Sequence, residues 1–284
     1  MAFFARLARL FNLPSLYSII VVRVSGPICL SSFYLRRDRI IPKPKPGQII
    51  YFTKGHCIAW GGTAVVERLP CDFQKDHYRD MRLEARIYQQ IGEQPCLPRM
   101  INWDADTCCL TLEFLENGDL QEYIRQHHQS LTPELRIQWA KQAVQGPAAL
   151  HCSGVLQCDI SPRNFLLDVD LNLKISDFGG TSLFGSEPSA VAKTRFRHAD
   201  FNWDVPPTFA DDIFSLGSFL YFIMTGNYPY PEQTSDEVEK LYTEQDFPDL
   251  THVTCGSIIS QCWARKESVV DICDLIQVVE KIHV

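Results

Sequence analysis

The sequence predicts an α+β chain of two lobes, a small strand-rich one followed by a larger, mainly helical one. Three observations carry that. Between residues 48 and 115 the apolar residues come in short runs, such as "QIIYF", "TAVVERL" and "CCLTLEF". After "LENGDL" they recur at helical spacing over long stretches. In the middle of that helical half stands "VLQCDISPRNFLLD", residues 155 to 168, where an Asp and an Asn sit between two apolar runs.

The chain has 284 residues, 45% hydrophobic and 21% charged, enough for a sizeable core. One two-lobed domain and two small domains both fit that length. A net charge of −7 offers no basic surplus for nucleic acid. Eleven Cys at irregular spacing, without paired C-x-x-C units, argue for free thiols in a reducing compartment and against structural zinc. The expected location is therefore the cytoplasm.

The first 37 residues differ in kind, with five Arg, five Ser and no acid. Phe4, Leu7 and Phe11 form one helical stripe. This composition fits a mitochondrial transit peptide, and the apolar run after Pro14 allows membrane contact through residues 1–35. Arg23 and Pro27 interrupt that run, which argues against a span. The plainest reading of residues 1–47 is an extension ending in a stiff linker, "PKPKPG". The main domain then covers residues 48–284, divided into 48–115 and 116–284.

In the first part, strands are expected at "QIIYF" and "TAVVERL". A helix follows, with Leu83, Ile87 and Ile91 on one face and Gly92 as its C-cap. "PRMINWD" and "CCLTLEF" return to strand character. In the second part Thr132 caps a helix with Pro133 at its first position. Pro147 is expected to kink or interrupt that helix. "DDIFSLGSFLYFIMTG" is apolar nearly all round, so it reads as a buried helix.

The chemistry concentrates around residues 159–177. Asn164 follows Asp159 by five residues, and Asp177 in "SDFGG" follows Asn164 by thirteen. Between them "FLLDVDLNLKI" alternates as a tight hairpin does, which returns Asn164 and Asp177 to the same end. Two oxygen-bearing side chains at one point suit Mg²⁺, with phosphates completing its shell. Asp159, upstream on the loop, stands where a carboxylate would orient a hydroxyl or accept its proton.

D-x-x-x-x-N, a thirteen-residue step and D-F-G, followed by "DDIFSLGSFLYFIMTGNYPY", resemble a protein kinase domain over residues 48 to 284. "ERLP", "SPRNFLL" and "GSFLYFIMTG" are similar to the small kinase-like proteins of filamentous fungi. The resemblance implies a bilobal protein kinase-like fold, with ATP and Mg²⁺ as cofactors. Asp159 and Arg163 would be catalytic, and Asn164 and Asp177 metal ligands. Buried Asp212 would brace the catalytic loop. "LTLEFLENGDL" resembles the hinge between lobes, with Leu112 as gatekeeper; the Glu113 carbonyl and the Leu115 N–H would read adenine. Gly61, Gly62 and Val66 would belong to the phosphate loop, and Glu84 would be the helix partner of the nucleotide lysine. Arg163 before Asn164 resembles tyrosine kinases, while Ser161 stands where serine/threonine kinases carry Lys, so the acceptor type stays open.

Several positions depart from the family pattern. "AWGGTAVV" keeps small residues, Ala59, Gly61 and Ala64, in place of three glycines. The V-A-I-K strand is missing, because the only Lys between Gly62 and Glu84 is Lys75. If Lys75 and Glu84 share a helix they stand about 13 Å apart along its axis and cannot pair. Arg68 is a second candidate for the lost charge. A misread exon boundary would leave the same gap. Gln157 and Cys158 replace the His and Arg of the catalytic loop, and "WDVPP" stands in place of A-P-E. Three functions remain open: an ATP-dependent protein kinase, impaired in nucleotide positioning; a pseudokinase that binds nucleotide or scaffolds; and a small-molecule kinase, whose D-x-x-P-x-N loop Asp159-Ile160-Ser161-Pro162-Arg163-Asn164 also matches.

Overall fold

The computed structural model describes residues 19–21, 56–60, 65–68, 74–106 and 108–265. The expected strand at 48–52, the turn holding Gly61 and Gly62, and the chain after Arg265 lie outside them. The described chain separates into two compact units, divided after Ala85, Pro98 and Glu116. Among the described residues no helix is long and apolar enough to cross a membrane.

In the first unit, three strands form an antiparallel sheet in the order β1-β3-β2: β1 is Ile19–Val21, β2 His56–Trp60 and β3 Val65–Arg68. Strand β2 pairs with β3 as a hairpin, with Ala59 opposite Val66 and Trp60 opposite Val65. The strand beside β3 is thus "HCIAW", rich in the β-branched and aromatic residues that suit a pleated surface. On its other edge β3 takes β1, with Ile19 opposite Arg68 and Val21 opposite Val66. Three residues of the stretch expected to precede the domain therefore belong to its sheet. Strand β1 also lies beside β5. A second antiparallel pair joins β4 (Met100–Asp104) to β5 (Cys109–Leu112), with Leu110 fully buried.

Helix α1 (Gln74–Ile91) begins six residues after β3 ends. Only "LPCDF" separates them, too short for a further strand and its reversal. The helix ends where expected: Gly92 takes φ +73° and its N–H donates to the Tyr88 carbonyl at 3.0 Å.

The second unit is built on helices α2 (Leu120–His127), α3 (Pro133–Cys152), α4 (Phe209–Thr225), α5 (Ser235–Thr243) and α6 (Gly256–Trp263). Thr132 caps α3, its hydroxyl accepting from the Leu135 N–H at 3.3 Å. Helix α3 runs on through Pro147, so of the expected kink or interruption the interruption does not occur. It is buried, and the helix passes so close to β8 (Leu173–Ile175) that a Cβ on neighbouring Gly146 would stand 2.7 Å from Ile175 Cγ2. Packing on that face offsets the hydrogen bond that proline cannot donate.

Helix α4 is the axis of this unit. Thr208 and Asp211 close a capping box at its start, and Gly226 at φ +77° ends it. Phe214, Leu216, Phe219, Leu220 and Ile223 lie at 0% exposure, so its apolar circumference is buried, as the sequence demands. Gly217 lets α6 approach: a Cβ there would meet Cys262 Cβ at 2.7 Å. The Trp263 indole then donates to Ser218 Oγ at 3.0 Å.

Candidate active site

The catalytic loop leaves β6 (Val155–Leu156), which pairs with β9 (Ser182–Leu183). The next two residues have no strand partner, yet both are fixed. The Gln157 and Cys158 N–H groups donate to the Asp212 carboxylate at 2.8 and 2.9 Å. His151 Nε2 lies 2.9 Å from the same carboxylate. Asp212 is 2% exposed, so a buried anion is satisfied by three donors from α3 and the loop. Cys158 adopts φ +62°, a conformation non-glycine residues seldom take, and the loop reverses there.

Asn164 is buried. Its Nδ2 donates to the Asp159 carbonyl at 2.8 Å, closing the loop on itself. That uses the amide's NH₂ and leaves Oδ1 as the available ligand atom. The following strand β7 (Phe165–Leu167) pairs with β8, Phe165 opposite Ile175 and Leu167 opposite Leu173. The Asp168 carboxylate ties the connecting turn by accepting from the N–H groups of Asp170 and Asn172, at 3.0 and 2.8 Å. The register carries one step past the strands: the Ser176 N–H donates to the Asn164 carbonyl at 2.8 Å. Asn164 and Asp177 thus sit at one end of the hairpin, as its alternation implies.

Asp177 is exposed and has φ +62°. Gln157 holds its backbone: Nε2 donates to the carbonyls of Ser176 at 3.2 Å and Asp177 at 3.0 Å. Gln157 is 1% exposed, and its Oε1 accepts from no described residue. Its residue type departs from the family pattern, and its positioning contacts are not visible in the sequence alone. The signal available was an amide, able to donate twice, immediately before the loop turn.

Arg163 is exposed, and its Nε donates to Gln121 Oε1 at 3.0 Å. Tyr228 holds the same oxygen at 2.5 Å, so α2 orients the guanidinium. Asp119, the N-cap of α2, has its pKa raised by burial, with Arg163 partly opposing the rise.

The first unit carries the remaining residues singled out in the sequence. Glu84 lies on α1 and is 8% exposed. Lys75 lies on the same helix nine residues earlier, so at ~1.5 Å per residue it stands about 13 Å away along the axis and is not its partner. Arg68 pairs with His56 at the end of the hairpin remote from residues 61–64, roughly 10 Å from Val65 at ~3.3 Å per residue. Leu112 closes β5 and Leu115 is buried; the Glu113 N–H donates to the Arg99 carbonyl at 2.9 Å. Val66 lies within β3.

The segment after Asp177 is anchored at both ends. The N–H groups of Ser189 and Ala190 both donate to the Gly180 carbonyl at 3.1 Å. At the far end Arg265 grips Asp200 through both carboxylate oxygens at 3.1 Å and Asp211 at 2.7 Å. This clasp joins residues 65 apart in sequence, so no local pattern announces it.

The protein kinase domain model matches residues 66–277. The chain belongs to the protein kinase domain family. The match begins at Val66, so Gly61 and Gly62 precede it. Ephrin type-A receptor 5 of Gallus gallus is 24% identical over 217 residues, 70% of this chain and 21% of that protein. A putative serine/threonine-protein kinase/receptor, R826, of Acanthamoeba polyphaga mimivirus is 27% identical over 200 residues, 63% of this chain and 12% of that protein. Ephrin type-A receptor 3 of Danio rerio is 24% identical over 220 residues, 72% of this chain and 22% of that protein. The chain thus spans less than a quarter of the length of these curated relatives.

Proposed function

We propose that the chain is an ATP- and Mg²⁺-dependent protein kinase whose phosphate-transfer half is built and whose nucleotide-positioning half is weakened. The observation that supports this is the hairpin register, which returns the chain at Asp177 to the end where Asn164 stands, five residues after Asp159. Hard oxygen atoms from few protein groups fit Mg²⁺. Asn164 and Asp177 would hold the ion, which when bound neutralises charge on the transferring phosphates.

The acceptor hydroxyl of a protein Ser, Thr or Tyr forms the new O–P bond while the bond from the γ-phosphorus to the β–γ bridging oxygen breaks and ADP leaves. Asp159 orients that hydroxyl and takes its proton. Asp212 and Gln157 act only through the backbone, fixing the loop and Asp177. Arg163, oriented by Gln121, adds positive charge nearby. Leu112, Glu113 and Leu115 serve the adenine, and Glu84 stands on α1 where the family's helix glutamate is expected.

A second reading, a pseudokinase that binds nucleotide or scaffolds, is favoured by one observation: α1 begins directly after "LPCDF", with Lys75 carried out of reach. Titration calorimetry with ATP, with and without Mg²⁺, plus phosphorylation of a generic protein substrate, separates the two. The expected outcome is weak binding that Mg²⁺ strengthens, with slow transfer. Asp177→Ala should remove the Mg²⁺ increment and leave metal-free binding unchanged. Binding indifferent to Mg²⁺, with no transfer, would support the pseudokinase.

A further inference from the structure

A cavity of about 420 Å³ lies in the helical unit behind the segment that follows Asp177. Cys158 contributes to its lining, together with Asp211, Asp212 and Ser215 at the start of α4. The kinase pattern has Arg where Cys158 stands, and the shorter side chain leaves room that a guanidinium would fill. The volume falls within the range of small-molecule sites, roughly 300–1,000 Å³. Val191, Phe201, Trp203, Val205, Pro206 and Pro207 make most of the wall apolar.

The polar groups that line it are nearly all engaged. Asp212 accepts three hydrogen bonds. Asp211 is held by Arg265 and by the Thr208 N–H and hydroxyl. The Ser215 hydroxyl lies against the Phe196 and Asp211 carbonyls, with its one hydrogen shared between them. His198 lies against Asp200. Arg197 rests over the Phe201 ring, 5.3 Å from its centroid. Arg197 has no ion pair among the described residues, and the carboxylates left are those of Glu187 and Asp204, both exposed and without a hydrogen-bond or ionic partner among the described residues. Trp203 beside them is 61% exposed, its ring edge-on to Phe201 at 5.2 Å. Burial pushes the Cys158 thiol's pKa up, and the negative fields of Asp212, Asp211 and Asp159 push it further.

We propose that this cavity binds a small organic amine, its apolar body against Val191, Val205 and Trp203 and its protonated nitrogen beside Glu187 and Asp204. Around Asp211, Asp212 and Ser215 the wall asks for no polar partner, since those groups are satisfied internally. The rim offers two carboxylates and an exposed aromatic face, both of which attract a cation. An occupant there touches Cys158, the residue before Asp159. The site does not depend on the chain being an active kinase.

Three probes of matched shape and different charge decide it: phenylbutylamine, phenylbutanol and phenylbutyrate, each titrated into the full chain and followed by ligand-observed NMR. The amine should bind about fivefold tighter than the alcohol, the scale of an exposed ion pair, and the acid weakest. A Glu187→Gln/Asp204→Asn variant should equalise amine and alcohol without weakening the alcohol. Val191→Trp, filling the wall, should abolish binding of all three with the thermal midpoint unchanged. If that variant fails to fold, the double variant at two exposed positions still decides. Acid binding as tight as amine, an amine preference that survives the double variant, or no binding of any probe at millimolar concentration overturns the proposal.

Discussion

Replacing Asp212 by Ala is the most demanding test of how the loop is held. The carboxylate is 2% exposed and accepts from the N–H groups of Gln157 and Cys158 and from His151, at 2.8, 2.9 and 2.9 Å. The two backbone donors have no alternative within their own strand, because β6 ends at Leu156. A buried donor left without a partner costs about 1–3 kcal/mol, so these two together cost roughly 2–6 kcal/mol. The His151 side chain is 11% exposed and regains part of its loss from water. Relief of the carboxylate's own desolvation offsets some of the total, leaving about 2–5 kcal/mol, which overlaps the range for breaking a buried charged pair. That is a large fraction of a domain's stability, roughly 5–15 kcal/mol. Urea unfolding followed by tryptophan fluorescence measures it, with hydrogen exchange at residues 155–160 as the local readout. A loss below about 1 kcal/mol, with the loop amides still protected, would refute the reasoning.

Three further outcomes follow from the packing. Gln157→Leu removes the donors to the Ser176 and Asp177 carbonyls and should destabilise by about 1–2 kcal/mol, weakening Mg²⁺-dependent ATP binding more than metal-free binding. Gln157→His, which keeps one donor, should recover part of the difference, and equal behaviour of the two variants would count against the positioning role. Gly217→Ala should cost about 1–3 kcal/mol in chemical denaturation, because its Cβ meets Cys262 on a rigid neighbouring helix; a neutral result would mean α4 and α6 are loosely packed. A chain lacking residues 1–22 should lose amide protection at 65–68 and aggregate more readily, since β3 becomes an open edge without β1.

What the sequence revealed depended on how local the interaction was. The β7–β8 hairpin was legible because alternation over "FLLDVDLNLKI" fixes both strands and the return of Asn164 toward Asp177. Helix α4 was legible because an apolar circumference has no other use in a chain of this composition, and Thr132 marked the start of α3 by cap chemistry alone. Pro147 misled because its local preference loses to tertiary packing around Gly146 and Ile175. The pairing of β1 with β3 was not legible. Ile19–Val21 is three residues within an apolar run, and such a run fits a strand, a targeting helix or a membrane contact equally. The Arg265 clasp and the cavity were hidden for a related reason, since both join residues from separate elements that no period links.

Gln157 shows which part of a site tolerates replacement. Judged by residue type, "QCD" in place of the kinase "HRD" is a loss of two positions out of three. In three dimensions the two losses are unequal. Gln157 reaches the carbonyls of Ser176 and Asp177, and its own N–H still finds Asp212, so the geometry of the loop persists under a changed side chain. Cys158 keeps the backbone role, donating to Asp212 at φ +62°, but its side chain no longer carries charge toward the following segment. The anchoring of that segment has passed to contacts that need no phosphate: Gly180 at one end and the Arg265 clasp at the other. A chain built this way should hold its catalytic loop in one arrangement whether or not the segment is modified. On the proposed function the nucleotide-positioning half is the weaker one, since Lys75 is carried along α1, nine residues before Glu84. Any deficit in phosphate transfer should therefore appear as weak nucleotide affinity, with Asp159, Asn164 and Asp177 still able to act on ATP once it is bound.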